Sequence, residues 1–222
     1  MARALWLPDV LSDAGLSVVA EPGWATRGSE DFDPQIILWH HTAGPRVGDF
    51  PSRNVLINGR PGLPGPLVQV GMSRSCVFHL IASGKANHAG VGEWQGFSGN
   101  RQAIGLEVEN VGTTAEPWTP KQIESMVTFS ASISLHLDLA PIRTCGHKEY
   151  ARPAGRKIDP HTLDMKAMRR LVDKACHPSP HPPIVTAKDT PMVVQHTGKP
   201  QVYILAGGHL VKLTSNTSVN QK

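Results

Sequence analysis

The chain has 222 residues, 40% hydrophobic and 18% charged, with a net charge of +4 and a pI near 9.1. That length supports one large domain, or a smaller domain with an appendage, and a real buried core. The 21 glycines and 19 prolines demand many turns and exclude a purely helical bundle, while the positive balance favours anionic surroundings without choosing among nucleic acid, lipid and other polymers.

Cys76, Cys145 and Cys176 are too few and too scattered for a disulfide framework. Without a CxxC pair a Cys-rich zinc finger is excluded. The opening MARALWLPDVLSDAG lacks a long apolar core and a small-residue cleavage site, so no secretory signal is expected. No run approaches the ~18 apolar residues of a membrane span. The expectation is a protein folded in a reducing cytosol.

In chain order, residues 3–14 read as a short amphipathic helix stopped by Gly15, and Glu21 to Pro34 as loop. Ile36 to Trp39, between Pro34 and Gly44, has the length of a buried strand, and His40 and His41 stand at its end. Successive strand residues face opposite sides, so the two histidines cannot share one metal. Residues 45–66 are turn-rich, with a short helix around Ser52 to Asn58. Leu67–Val70 and Cys76–Ala82 read as a hairpin. Gly84 to Gly90 is a loop of small and polar residues in which His88 has little apolar surface around it.

Ala103 to Asn110 shows the clearest alternation: Ile104, Leu106 and Val108 on one face, Gly105, Glu107 and Glu109 on the other. That second face is either solvated or the wall of a cleft, where Gly105 would leave room for substrate and Glu107 would act as a base. Thr119-Pro-Lys-Gln122 is a capping-box start for a helix to about Leu137 with Ile123, Met126, Val127, Ile133 and Leu137 on its packed side. A short strand from Ile142 to Cys145 delivers His147. Residues 162–175 form a second helix with Leu163, Ala167, Met168, Leu171 and Val172 inward.

From His177 the composition becomes Pro-rich and extended, a linker. Beyond it Met192–Gln195, Gln201–Ala206 and His209–Leu213 are strand candidates. That piece is too small for a strong core of its own, so it either docks on the main domain or self-associates. The expected organisation is a main domain over 1–176, a linker over 177–190 and a β-rich module over 191–222. The expected fold class is α/β, a mixed central sheet flanked by helices.

The stretch Cys145–Pro160 places His147 and Asp159 at the two ends of a Pro/Gly loop, with Lys157 two residues before the aspartate. Two ligands do not make a zinc site, which needs at least one further donor. Extended residues two apart share a side, so Lys157 and Asp159 can face one site. A cysteine hydrolase built on Cys145 and His147 is a rival reading, since residues i and i+2 of a strand share a face. The Cys-then-His order over a long spacing, which papain-like wall hydrolases have, is missing. The metalloprotease signature HExxH is absent, and no basic run with interleaved aromatics points to nucleic acid.

In this order, WHHTAG, NHAG, IGLEVEN and GHKEYARPAGRKIDP resemble the zinc-dependent N-acetylmuramoyl-L-alanine amidases. That family shares its fold with peptidoglycan recognition proteins and includes many phage endolysins. The resemblance spans roughly residues 30–175, and the opening and C-terminal segments look like endolysins of phages infecting actinobacteria. It implies hydrolysis of the amide between N-acetylmuramic acid and L-alanine in peptidoglycan, with Zn2+ as cofactor and neither nucleic acid nor membrane as partner. Position by position, it implies His40, His147 and Asp159 as zinc ligands and Glu107 as the acid working on water. It further implies Lys157 as the stabiliser of the oxyanion and His88, with His41 and Asn87, as substrate contacts. The loop from His147 to Asp159 is somewhat longer than the resemblance leads one to expect. A non-catalytic binding module of this fold would lack a ligand, and here all three candidates are present. With no signal peptide, the resemblance implies a lysin held in the host cytoplasm until released to the wall. A cytoplasmic enzyme recycling soluble wall fragments is the alternative.

Overall fold

Six strands form the central sheet, and their residues are those in which β-branched and apolar side chains run between Gly and Pro breaks. The structure, a computed structural model, describes residues 3–177 and three C-terminal strands. Helix α1 (Leu7–Asp13) leads to β1 (Ser17–Ala20) and β2 (Ile36–His41); α2 (Arg53–Asn58) precedes a small ribbon of β3 (Gly59–Arg60) and β4 (Leu63–Pro64). Then come β5 (Val70–Met72), β6 (Val77–Leu80), α3 (Gly99–Gln102) and β7 (Ala103–Val108). The long helix α4 (Pro120–Leu137), β8 (Thr144–Gly146), α5 (His147–Tyr150) and α6 (Met165–Cys176) complete this part. The sheet order is β1-β6-β5-β7-β2-β8. Strands β5, β7, β2 and β8 run parallel, and β5 pairs antiparallel with β6. The mixed α/β sheet expected from the sequence is therefore the architecture.

Strand pleat divides the sheet into two unlike faces. Ile37 and Trp39 of β2 with Ile104, Leu106 and Val108 of β7 point to the main core, where they meet Met126, Phe129 and Ile133 of α4 and Met168 and Val172 of α6. Trp39, fully buried, keeps its indole N–H satisfied by donating to Ser130 Oγ at 2.8 Å. The opposite face carries only small apolar clusters, one being Ile36, Leu38, Ala89, Ala103, Cys145 and Tyr150. It is covered by loops and short helices rather than by α4 and α6, and on that side a cleft can open.

Helix α4 starts as its sequence reads: Thr119 Oγ1 accepts from Gln122 N, and Gln122 reaches back to the Thr119 N–H. Helix α6 starts at Met165, capped by Asp164. Leu171, expected inward, is 42% exposed, and Met165, one turn and a half earlier, is buried in its stead. The short strand expected over Ile142–Cys145 is shifted, because Pro141–Arg143 form a 3-10 turn. Strand β1 was not foreseen. It is an edge strand with mostly exposed residues, so it has no apolar alternation to read.

The chain divides into two compact units, Met1–Pro178 and Ser179–Lys222. In the second, β9 (Met192–Gln195), β10 (Val202–Ala206) and β11 (His209–Lys212) form an antiparallel sheet in the order β11-β10-β9. Most of the linker expected over 177–190 lies outside the described residues. Among those residues no helix is long and apolar enough to cross a membrane.

Candidate active site

Strand β2 ends in His40, and its parallel partner β7 sets Glu107 opposite His40 in register. Neighbours in parallel register project to the same face, so the two side chains stand together at the edge of the cleft-facing side. On the other flank of β2, β8 runs parallel and passes directly into α5, which puts His147 at the first turn of that helix. The loop after α5 then returns to the sheet. Lys148 N–H donates to the Asp159 carbonyl at 2.8 Å and Lys148 Nζ to the Leu163 carbonyl at 2.6 Å. A Cβ at Gly146 would come within 2.8 Å of Pro160 Cδ, so the bare glycine lets the end of this loop close against β8.

His40 Nδ1 lies 3.0 Å from His147 Nδ1 and 3.0 Å from Asp159 Oδ2, and His147 Nδ1 lies 2.9 Å from the same oxygen. All three residues are buried. His147 Nε2 meets the Ala89 carbonyl at 3.0 Å. A carbonyl only accepts, so the proton is on Nε2 and Nδ1 presents its lone pair inward. Burial first, and the neighbouring His147 imidazole after it, push His40 down to about 4 against the opposing hydrogen bond to Asp159. Burial would raise Asp159, but the two imidazoles outweigh it and hold the carboxyl below the ordinary range. Three lone-pair carriers so close together need a positive charge among them, either a shared proton or a metal cation. Zinc bound tetrahedrally at about 2.0–2.1 Å separates N and O ligand atoms by about 3.3 Å, near the spacing found. The donor set of two neutral imidazoles and one carboxylate therefore fits zinc.

Glu107 has a side chain whose Oε2 is buried and has no hydrogen-bond partner among the described residues. Burial, with Asp159 adding to it, pushes its carboxyl well above the usual range, and Lys157 opposes this. A cavity of about 390 Å³ opens beside the histidines, lined by Asn87, His88, Asn100, His147, Arg156 and Lys157 among others. A lysine and one of the three clustered donors, His147, on a cavity wall, with an unpaired carboxyl in register beside His40, is an arrangement that suits a hydrolytic site.

Several sequence expectations are relocated by the structure. His41 does not line this cavity: its Nδ1 accepts the His161 N–H at 3.1 Å, and its ring packs under Gly112. It therefore anchors the segment after Asp159 from the far side of the strand. Gly105 does not leave room for substrate, because the ring of His88 fills that space; a Cβ at Gly105 would stand 2.7 Å from His88 Nδ1. Glu109 lies beyond the end of β7 and receives the Thr42 and Ser52 hydroxyls and the Ser52 N–H, which fixes the start of α2. Cys145 is fully buried, burial pushes its thiol well up, and the strand ends before His147. The cysteine-nucleophile reading thus loses both its geometry and its thiolate. Asn100 was missed, since its bonds go to backbone N–H groups eleven and twelve residues away and no local periodicity marks them.

The family model described as N-acetylmuramoyl-L-alanine amidase matches residues 30–162. The chain belongs to that family, whose activity is the hydrolysis of a peptidoglycan amide. Among solved structures, the PlyG catalytic domain superposes with a TM-score of 0.53 at 14% identity, covering 75% of this chain and 99% of that one. A mutant endolysin from Bacillus subtilis gives 0.51 at 17% identity, covering 71% and 99%. The Staphylococcus aureus hydrolase AmiA in complex with its ligand gives 0.52 at 12%, covering 77% and 90%. These likenesses show a shared fold. No curated protein matches the chain.

Proposed function

We propose that this protein is a zinc-dependent N-acetylmuramoyl-L-alanine amidase and that it serves as a phage endolysin. The observation that carries the chemistry is the meeting of His40 Nδ1, His147 Nδ1 and Asp159 Oδ2 within 3.0 Å of one another, with Glu107 in register beside His40. Zinc held by these three residues supplies Lewis acidity, which lowers the pKa of water toward about 7 and polarises a carbonyl. Glu107, in register beside His40 and with Oε2 unpaired, acts in its ionised form, accepting a proton from the attacking water and returning it to the leaving alanine nitrogen. The C–N bond breaks, leaving a carboxylic acid on the muramic acid side and a free amine on L-alanine. Lys157, on the cavity wall, stabilises the oxyanion formed when water adds to the carbonyl. Asn87, on the same wall, is a substrate contact.

Purified cell wall treated with the protein is expected to release new L-alanine amino termini at an equal number of muramic acid carboxyls. Chelation should stop that release and stoichiometric zinc restore it. Hydrolysis that continues undiminished in a strong chelator would sink the zinc reading.

The lysin role is supported by the basic net charge, the Pro-rich stretch from His177 and a separate second unit with its own three-stranded sheet. Two binding sites joined by a linker raise the effective concentration of an enzyme on an insoluble polymer, which an enzyme recycling soluble fragments does not need. Deleting residues 191–222 is expected to weaken sedimentation with intact walls while leaving cleavage of small soluble muropeptides nearly unchanged. Equal pelleting of the truncated and full chains would remove the tether and favour packing or self-association as the role of that module.

A further inference from the structure

The residues behind the metal donors form a second, connected arrangement. His88 Nε2 stands 3.1 Å from the Ala103 carbonyl and its Nδ1 stands 3.0 Å from His40 Nε2, the rings meeting edge to face at 86°. The carbonyl forces the proton onto His88 Nε2, so His88 Nδ1 is an acceptor and His40 Nε2 is the donor to it. That leaves His40 Nδ1 with its lone pair toward His147 and Asp159. Asn100 Oδ1 accepts the N–H groups of both His88, at 3.1 Å, and Ala89, at 2.8 Å. The carbonyl of that same Ala89 accepts the His147 Nε2 proton. Next to Asn100, Gly99 N–H donates to the Tyr150 hydroxyl at 2.7 Å, and Tyr150 belongs to the short helix that His147 begins. One loop, Asn87–Gly90, therefore supplies the outer partner of both histidines, through a side chain for one and a backbone carbonyl for the other.

We propose that His88 and Asn100 are positioning residues: His88 sets the tautomer and ring orientation of His40, and Asn100 holds the loop that does the same for His147. This rests on the zinc reading above. Both ring nitrogens of His88 are engaged, so the polar contact to substrate that the sequence suggested for this side chain has no free ring nitrogen to make it. Gly105 is part of the device, since any Cβ there would push against the His88 ring and against Val68. Outer partners of this kind orient the ligand ring and raise its basicity, and losing one typically weakens metal affinity 10- to 100-fold.

The test is zinc affinity of the full chain, measured by competition with a chromophoric chelator. Circular dichroism of the metal-free form monitors the fold. His88→Phe, which fills the space but accepts no proton, is expected to bind zinc 10- to 100-fold more weakly. His88→Gln, whose amide can accept from His40 and donate to Ala103, is expected to recover most of that loss. Asn100→Ala is expected to weaken zinc as well, and it carries the test alone if His88→Phe does not fold. Long-range proton–nitrogen NMR of the zinc-loaded protein should show protonated Nε2 on His40, His88 and His147. Wild-type zinc affinity in His88→Phe and Asn100→Ala, or a raised KM with metal affinity untouched, would overturn the proposal and return His88 to substrate binding. Failure of the wild-type chain itself to take up one zinc would instead overturn the zinc reading.

Discussion

His147→Ala is expected to empty the metal site, reducing bound zinc from one equivalent to below detection and amidase activity with it. The imidazole contributes one of the three converging atoms, and a zinc hydrolase holds its metal with three protein ligands and keeps the fourth position for water. The substitution also deletes a buried side chain bonded to the Ala89 carbonyl, leaving that acceptor unpaired, so a lower melting temperature accompanies the loss. The metal-free wild type is therefore the proper reference for stability. Metal analysis of the purified variant by mass spectrometry decides the matter. If His147→Ala carried a full equivalent of zinc, the site assembled from His40, His147 and Asp159 would be wrong.

Glu107→Gln is expected to keep its zinc and lose activity by about 10²–10⁴-fold in kcat, the usual worth of a general base. The amide has nearly the same shape but accepts no proton from water. A second readout follows from the raised pKa of Glu107. A carboxyl whose folded pKa lies above its unfolded value makes the folded state bind the extra proton between the two values. Stability therefore falls as pH rises through that window. Glutamine has no such proton, so after chelation the variant is expected to melt above wild type, by a margin that widens from acidic toward neutral pH. Wild-type turnover in Glu107→Gln would remove this residue from the chemistry. A melting difference that narrowed as pH rose would contradict the buried, unpaired state of its carboxyl.

Much of the fold was legible in the chain because its signals are local. The apolar run at 36–39 and the alternation at 103–108 are β2 and β7. A hairpin forms where one was expected, but its first strand is shifted to Val70–Met72, so Gly71 and Met72 of the expected turn pair with His79 and Phe78 and Leu67–Gln69 lie outside it. Thr119, Pro120 and Gln122 mark the start of α4 to the residue. Caps and strand alternation depend on neighbours within a few positions, and a sequence carries that information directly. Motif order also suggested the proposed ligand set, although only as a resemblance, and the structure brings those three side chains together.

What the sequence determined by itself is thus the class of fold and its principal elements, while the proposed donors His40, His147 and Asp159, with Glu107 and Lys157, rest on the resemblance of its motifs. What only the tertiary structure decided is the company each of them keeps. His40 meets His147 and Asp159 across 107 and 119 residues, and it does so because β2 pairs in parallel with β7 on one side and β8 on the other. Parallel pairing joins distant segments and leaves no periodic trace of its partner in either strand. The pleat sends His41 to the back of the sheet while His40 faces the cleft, and the empty face of Gly105 receives the ring of His88 rather than a substrate. Asn100 serves both histidines through backbone groups, which any residue type provides, so nothing in the letters of Asn87–Gly90 could announce that contact.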